Sequence, residues 1–325
     1  MVKVVAGVDI GGTGTKFGLV DPNGEVLSES KMPTAVGGTF ECFVEKLAEE
    51  IQMMLADTGF ELEGIGIGAP SGNYYTGNIS GASNLPWKGD LPMVDEMLKH
   101  FEVPIVLSND ANATAMGEMV FGGAKGMRDF VMITLGTGLG SGIVSGGQLI
   151  IGSQSMAAEL GHVLVHSDGK GRACNCGRKG CLETYASATG IKKTMIELLE
   201  SSREESLLRN VPINEISSRM IASAAQKGDK LALEAFDYTG RLLGVQLANI
   251  VSVMNPEAIF LFGGLSLSGD LIFDTTRKYM EQNLLSIYKG SVKLLPSQLG
   301  AQGAAIVGAA SLAHQQKDYL HFEIS

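Results

Sequence analysis

The segment CNCGRKGC, Cys174 to Cys181, carries three of the chain's four cysteines within eight residues. Cys174 and Cys176 are separated by one residue, too close for an unstrained disulfide, and C-x-C is not the C-x-x-C redox spacing. Three thiolates on a knuckle tightened by Gly177 and Gly180 suit a tetrahedral zinc site that lacks one ligand. A histidine can complete it. Of the five histidines only His162 and His166 lie nearby, and spacing alone leaves both open. Reduced cysteines without a metal are the alternative.

Two glycine-rich turns form a second signal. DIGGTGTKFGLVD sets Gly11, Gly12 and Thr13 between two apolar strands, and TLGTGLGSGIV does the same with Gly136, Thr137 and Gly138. Backbone N–H groups of such turns can bind an anion, and glycine lets phosphate oxygens approach the main chain. Neither turn is a Walker motif or opens a helix as a dinucleotide fingerprint does; each joins the strands of a hairpin. The order of parts also repeats: a strand ending at Asp9 or Thr134, the turn, a second strand, then Pro22-Asn23-Gly24 or Ser145-Gly146-Gly147. Asp9 and Thr134 lie 125 residues apart, which reads as a duplicated unit. Facing one another, the turns could hold the β- and γ-phosphates of a nucleotide, with Asp9 near a bridging Mg2+. Two tight structural hairpins are the alternative.

A third candidate lies in VPIVLSNDANATAMGE, where a strand over Ile105 to Leu107 delivers Asn109 and Asp110 to its end, just before a helix. Asn or Asp in that place ordinarily caps the helix. A carboxylate at a strand end can also act as a general base.

The elements that must position these groups alternate strand and helix, which gives an α/β fold. A helix is expected over TFECFVEKLAEEIQMMLADTG, a buried strand in LEGIGIGAPSG, and a mainly helical stretch beyond residue 185. The strand AIFLFGG follows, and one more helix closes the chain. The 325 residues suffice for two domains; apolar residues make up 45 %, aromatics 6 %, and there are 43 glycines. The formal charge of −10 disfavours nucleic acid as a partner. No apolar run is long enough to span a bilayer. The first strand is expected to begin at Val2, leaving no room for a signal peptide. Few cysteines and no disulfide framework point to the cytoplasm.

DIGGTGTKFGLVD, LGTGLGSGIV and FLFGGLS resemble the two phosphate turns and the adenosine-contacting turn of the sugar kinase/heat-shock protein/actin ATPase superfamily. AAELGHVLV and CNCGRKGCLETY, with eleven residues between His162 and Cys174, are similar to the signature E-x-G-H…C-x-C-G-x-x-G-C-x-E of the ROK family (repressors, open reading frames, kinases). The resemblance spans essentially the whole chain. It implies two actin-like ATPase (ribonuclease H-like) α/β domains with an interdomain cleft that closes around the sugar. It also implies an ATP-dependent hexose kinase, foremost a glucokinase, using Mg2+ with ATP and a structural Zn2+, and commonly a homodimer. N-acetylmannosamine, N-acetylglucosamine and fructose kinases share the apparatus. Repressors of the family carry an N-terminal helix-turn-helix of several dozen residues, for which a strand starting at residue 2 leaves no expected place.

Residue by residue, the resemblance makes His162 the fourth zinc ligand beside Cys174, Cys176 and Cys181, and leaves His166 an ordinary loop residue. Asp110 becomes the base for the sugar hydroxyl. Gly72, Asn84, Asn109, Glu159, His162 and Glu183 become sugar contacts, with Trp87 packing under the loop. Asp9, Gly11, Gly12, Thr13, Lys16, Thr137 and Gly138 become phosphate contacts, and Gly263 and Gly264 lie by the adenosine. Lys16 stands three positions after Thr13 rather than directly after it, a spacing that also resembles polyphosphate-using glucokinases. The expected domains are residues 1–115 with a C-terminal helix at about 302–325, and residues 116–301 carrying a zinc knuckle at 162–181.

Overall fold

A computed structural model describes residues 2–35, 38–82, 84–300 and 303–319. The first part runs β1 (Lys3–Ile10), β2 (Gly14–Val20), β3 (Val26–Pro33), α1 (Phe40–Thr58), β4 (Glu61–Gly68), β5 (Ile79–Ser80), β6 (Asp90–Leu91), α2 (Met93–Leu98), β7 (Ile105–Ser108) and α3 (Asp110–Val120). Then come β8 (Phe130–Leu135), β9 (Leu139–Ser145), β10 (Gln148–Leu149), α4 (Ala188–Ser201), α5 (Ser218–Gln226) and α6 (Lys230–Met254). The chain ends through β11 (Ala258–Phe262), α7 (Asp270–Asn283), β12 (Lys293–Pro296) and α8 (Ala304–Tyr319). Among the described residues no helix is long and apolar enough to cross a membrane.

The residues form two compact units. One holds the chain up to Met127, the segment Leu149–Ala157 and the described residues from Gln298 on; the other holds Arg128–Gln148 and Ala158–Ser297. The first unit therefore continues past residue 115, because α3 packs on α8. A Cβ on Gly117 of α3 would lie 2.9 Å from the Gly308 Cα of α8.

Each unit is built on a five-stranded sheet, and the two sheets share one plan. The orders are β3-β2-β1-β4-β7 and β10-β9-β8-β11-β12. In each, the first long strand pairs antiparallel with the strand after the glycine turn (β1 with β2, β8 with β9) and parallel with the strand on its other side. The duplication seen along the sequence is a duplication of topology.

In the first unit the alternation of β1 sorts its residues onto two faces. Val4, Ala6, Val8 and Ile10 join Phe43, Leu47 and Ile51 of α1 in one buried cluster. Thr39 caps α1 by accepting the Cys42 N–H, and Gly59 ends it in the left-handed conformation. On the opposite face α8 lies backbone-to-backbone on the sheet. A Cβ on Gly7 would sit 2.0 Å from the Ile306 carbonyl oxygen, and one on Gly66 1.8 Å from that of Ala309. Gly66→Ala must push the helix off the sheet, and overpacking of this kind costs about 1–3 kcal/mol. Denaturant unfolding should show a loss of at least that size; an unchanged midpoint would contradict the close crossing.

Candidate active site

Parallel pairing fixes the geometry at one end of the first sheet. The register sets Asp9 of β1 beside Gly68 of β4, and Gly68 beside Ser108 of β7. The ends of the three strands thus lie in one row, where α/β sheets gather ligand-contacting groups. Asn109 follows β7 with extended backbone, and its side chain accepts the Ala111 N–H at 2.8 Å as the cap of α3. Asp110 is the first helical residue, and its Oδ1 also accepts the Ala111 N–H at 2.8 Å.

Asp9 and Asp110 bring two carboxylates into this row. Desolvation, reinforced by the nearby Asp110 carboxylate and opposed by Lys16, raises Asp9 to about 6. Lys16 is the direct antiparallel partner of Asp9 across the hairpin. Asp110 stays open to solvent on one side, while the protein packed on its others pushes its carboxyl above the ordinary range against the Ala111 N–H. Two carboxylates held above their usual pKa are suited to proton transfer and to a divalent cation.

The glycines of this unit have contact reasons. A Cβ on Gly12 would meet the Asn84 carbonyl oxygen at 2.6 Å, so the first turn and the Asn84 loop lie in contact. One on Gly72 would meet the Ser108 carbonyl oxygen at 2.6 Å, which seats the loop after β4 against the end of β7. Ser71 just before it takes φ 55°. Trp87 packs on Phe40 and Phe43 and donates its indole N–H to the Gly38 carbonyl at 3.1 Å.

The second unit brings together the cysteines, His162, Glu159, Glu183 and the second turn. His162, Cys174, Cys176 and Cys181 place one ligand atom each within 4.8 Å of all the others. Cys174 Sγ lies 3.7 Å from His162 Nδ1, and Cys176 Sγ lies 3.6 Å from Cys181 Sγ. A tetrahedral zinc with Zn–S bonds of about 2.3 Å needs S···S separations of roughly 3.8 Å, so the donor set fits the metal. Its protonation chemistry fits too. The backbone N–H and guanidinium of Arg178 lower Cys176 to about 6, whereas burial raises Cys181 to about 12. A divalent cation resolves that conflict by holding all three as thiolates. His166 stands apart from the quartet, 3.3 Å from the Tyr238 hydroxyl.

With Nδ1 on the metal side, Nε2 of His162 faces the carboxylate of Glu159 at 4.0 Å. Glu183 links two features. Its Oε1 lies 3.8 Å from Cys174 Sγ, and its Oε2 accepts the Leu139 N–H at 3.1 Å. Gly138 leaves the room for this, since a Cβ there would fall 2.3 Å from Glu183 Oε2. Gly263 bends at φ 99° directly over Leu135, where a Cβ would lie 2.7 Å from the carbonyl oxygen, while a Cβ on Gly264 would meet open space. The segment that follows contributes Leu267 and Ser268 to a cavity of about 570 Å³ also lined by Gln226, Leu233 and Phe236.

Arg172 is a residue that sequence reading missed. Its guanidinium, 11 % exposed, donates to Glu197 Oε1 and Oε2, the carbonyls of Thr184 and Gly190, and Thr194 Oγ1, and lies 4.4 Å over the Tyr185 ring. It fastens the chain entering the knuckle to the residue after Glu183. A lone arginine before a cysteine motif, paired 25 residues away, leaves no sequence signal.

A family model described as "ROK family" matches residues 5–316. A glucokinase of Halalkalibacterium halodurans is 34 % identical over 96 % of this chain and 95 % of its own length. A glucokinase of Streptomyces coelicolor is 36 % identical over 95 % of this chain and 97 % of its own. The crystal structure of a ROK family glucokinase from Streptomyces griseus, in complex with glucose and AMPPNP, superposes with a TM-score of 0.79 at 35 % identity, covering 96 % of this chain and 99 % of that one.

Replacing Arg172 with Met takes the guanidinium from the Thr184 carbonyl, whereas the Gly190 carbonyl keeps the Thr194 hydroxyl at 3.2 Å. Because Glu197 is 57 % exposed, the ion pair itself counts for little, and the expected loss of about 1–3 kcal/mol in unfolding free energy comes from the buried Thr184 carbonyl. A stability within error of the parent would remove Arg172 as a fastening.

Proposed function

The chain belongs to the ROK family, and on that premise we propose how its residues carry out the reaction. It is an ATP-dependent sugar kinase of glucokinase type, transferring the γ-phosphate of ATP to the 6-hydroxyl of glucose. The observation that carries the assignment of roles is the carboxylate row at the strand ends. Asp110, held above the usual carboxylate range at the end of β7, takes the proton of the attacking hydroxyl as the new P–O bond forms. Asn109 caps α3 through its Oδ1, which fixes the backbone from which Asp110 projects and leaves its Nδ2 to donate to the sugar.

Gly72, Asn84, Asn109, Glu159, His162 and Glu183 hold sugar hydroxyls. Carboxylates fixed in place discriminate strongly against analogues lacking a hydroxyl. Gly11, Gly12, Thr13 and Lys16, with Thr137 and Gly138, hold the phosphates. Asp9 would help hold the Mg2+ that accompanies ATP, a cation that would offset phosphate charge. Gly263 and Gly264 contact the adenosine, and the adjoining cavity, which sets Leu233, Phe236 and Leu267 beside Gln226, Asp270 and Asp274, suits an adenine ring.

Zn2+ on His162, Cys174, Cys176 and Cys181 is structural, since four protein ligands leave no open position for water. Its role is to fix His162 and, through the knuckle, Glu183. The protein works in the cytoplasm, where thiols remain available to zinc, and as a homodimer, the assembly the family resemblance implies. Its acidic charge supports small phosphorylated ligands over nucleic acid.

Asp110→Asn should lower kcat by at least ~10³-fold while the affinity for glucose largely survives; retention of more than a tenth of the turnover would remove Asp110 as base. Because the base must be ionised, and its pKa is raised, kcat of the parent should fall with decreasing pH through a midpoint above the ordinary carboxylate value of about 4. Elemental analysis should find about one zinc per chain, and its removal should raise the KM for glucose and lower the thermal midpoint. Fully active, cleanly purified protein without metal would refute the zinc assignment.

A further inference from the structure

The first glycine turn is held from behind by a residue outside every motif. Thr34 follows β3 and is completely buried, as is Thr15 of β2. The Thr34 hydroxyl lies 2.7 Å from the Gly11 carbonyl oxygen and 3.0 Å from the Thr15 hydroxyl. The Thr34 backbone N–H donates to the Thr13 carbonyl at 3.2 Å.

The directions of these bonds follow from counting hydrogens. A carbonyl only accepts, so Thr34 spends its one hydroxyl hydrogen on Gly11. Thr15 must then donate to Thr34, and the chain runs Thr15 to Thr34 to Gly11. In a planar trans peptide the C=O of one residue and the N–H of the next point in opposite directions. With the Gly11 and Thr13 carbonyls both turned inward onto Thr34, the N–H groups of Gly12 and Gly14 are turned outward. The Gly11 N–H is spent within the turn, on the Gly14 carbonyl at 3.0 Å.

The second turn has the same arrangement from unrelated sequence. The Ala188 N–H at the start of α4 donates to the Gly136 carbonyl at 2.9 Å, and the Thr189 hydroxyl to the Thr137 carbonyl at 2.7 Å. This turns the N–H groups of Thr137 and Gly138 away from α4. The two supports come from different elements, a strand end in one unit and a helix start in the other.

We infer that Thr34 is a positioning residue for the nucleotide phosphates: its buried hydroxyl, backed by Thr15, locks the Gly11–Gly12 peptide with the Gly12 N–H aimed at the phosphate. Thr189 does the same for Gly138, from a more exposed position. The energetic logic is preorganisation. Donors held in place before binding need no reorganisation when phosphate charge arrives. The inference rests on reading Gly11–Thr13 as a phosphate turn and adds to it the group that sets its orientation.

Thr34→Val keeps the size of the side chain and removes the hydroxyl, freeing the Gly11–Gly12 peptide while the backbone bond to Thr13 stays. Steady-state kinetics of the full chain should show the KM for MgATP raised about tenfold, the KM for glucose within about twofold, and Thr34→Ser within about threefold of the parent on both. A general packing defect would move both constants and would not be repaired by serine. Thr34→Ala takes the place of the valine variant if the latter does not fold. Gly12→Ala, measured alongside, separates the two levels of the argument. If it raises the KM for MgATP and Thr34→Val does not, the positioning role is overturned and the phosphate turn stands. If neither variant changes it, the phosphate reading of the turn falls and takes the positioning role with it.

Discussion

Parallel pairing of β1, β4 and β7 is the constraint on which the rest depends. Because Asp9, Gly68 and Ser108 share one register row, the residues immediately beyond them converge at one sheet end. The turn at Gly11–Thr13 leaves β1 there, the Gly72 loop leaves β4, and Asn109 and Asp110 leave β7. Glycine is needed wherever these exits touch, at Gly12 against Asn84 and at Gly72 against Ser108. The same row buries the Asp9 carboxyl, and that desolvation, reinforced by the Asp110 carboxylate, accounts for its raised pKa. A slip of one residue in either pairing would turn every one of these side chains to the other face.

The second unit repeats the sheet and adds what the first lacks, a cysteine knuckle placed against its glycine turn. Glu183 connects them, lying beside Cys174 and accepting the Leu139 N–H. A carboxylate in that position joins the proposed sugar-recognising residues to the proposed phosphate turn through one side chain. Arg172 secures the other side of the same segment by holding the Thr184 carbonyl. Zinc, where bound, stiffens a wall that hydrogen bonds already outline.

Much of this was legible in the sequence because it depends on local residue type. Glycine turns after strands, Asn-Asp before a helix, and three cysteines with two glycines between them announce themselves at short range. The repeated order of parts foretold two similar sheets. What escaped notice depends on contacts across long sequence separations. Gly7 and Gly66 read as ordinary strand glycines until α8, some 240 to 300 residues later, presses its backbone onto them. Thr34 sits 23 residues from the carbonyl it holds, and Arg172 sits 25 from Glu197; neither has a periodicity or spacing to mark it. The boundary near residue 115 missed for the same reason, since the attachment of α3 to α8 is invisible from α3 alone. The C-terminal helix expected to about 325 is described to Tyr319, and residues 320–325 lie outside the described residues.

The protein is a glucokinase-type kinase that moves a phosphoryl group from ATP to glucose. Initial rates with ATP and with polyphosphate, over a panel of glucose, fructose, mannose, N-acetylglucosamine and N-acetylmannosamine, test it most directly. The expected result is the highest kcat/KM for glucose with ATP, giving glucose 6-phosphate. A clear preference for an N-acetylhexosamine or fructose, for polyphosphate, or no phosphorylation of any sugar would contradict it.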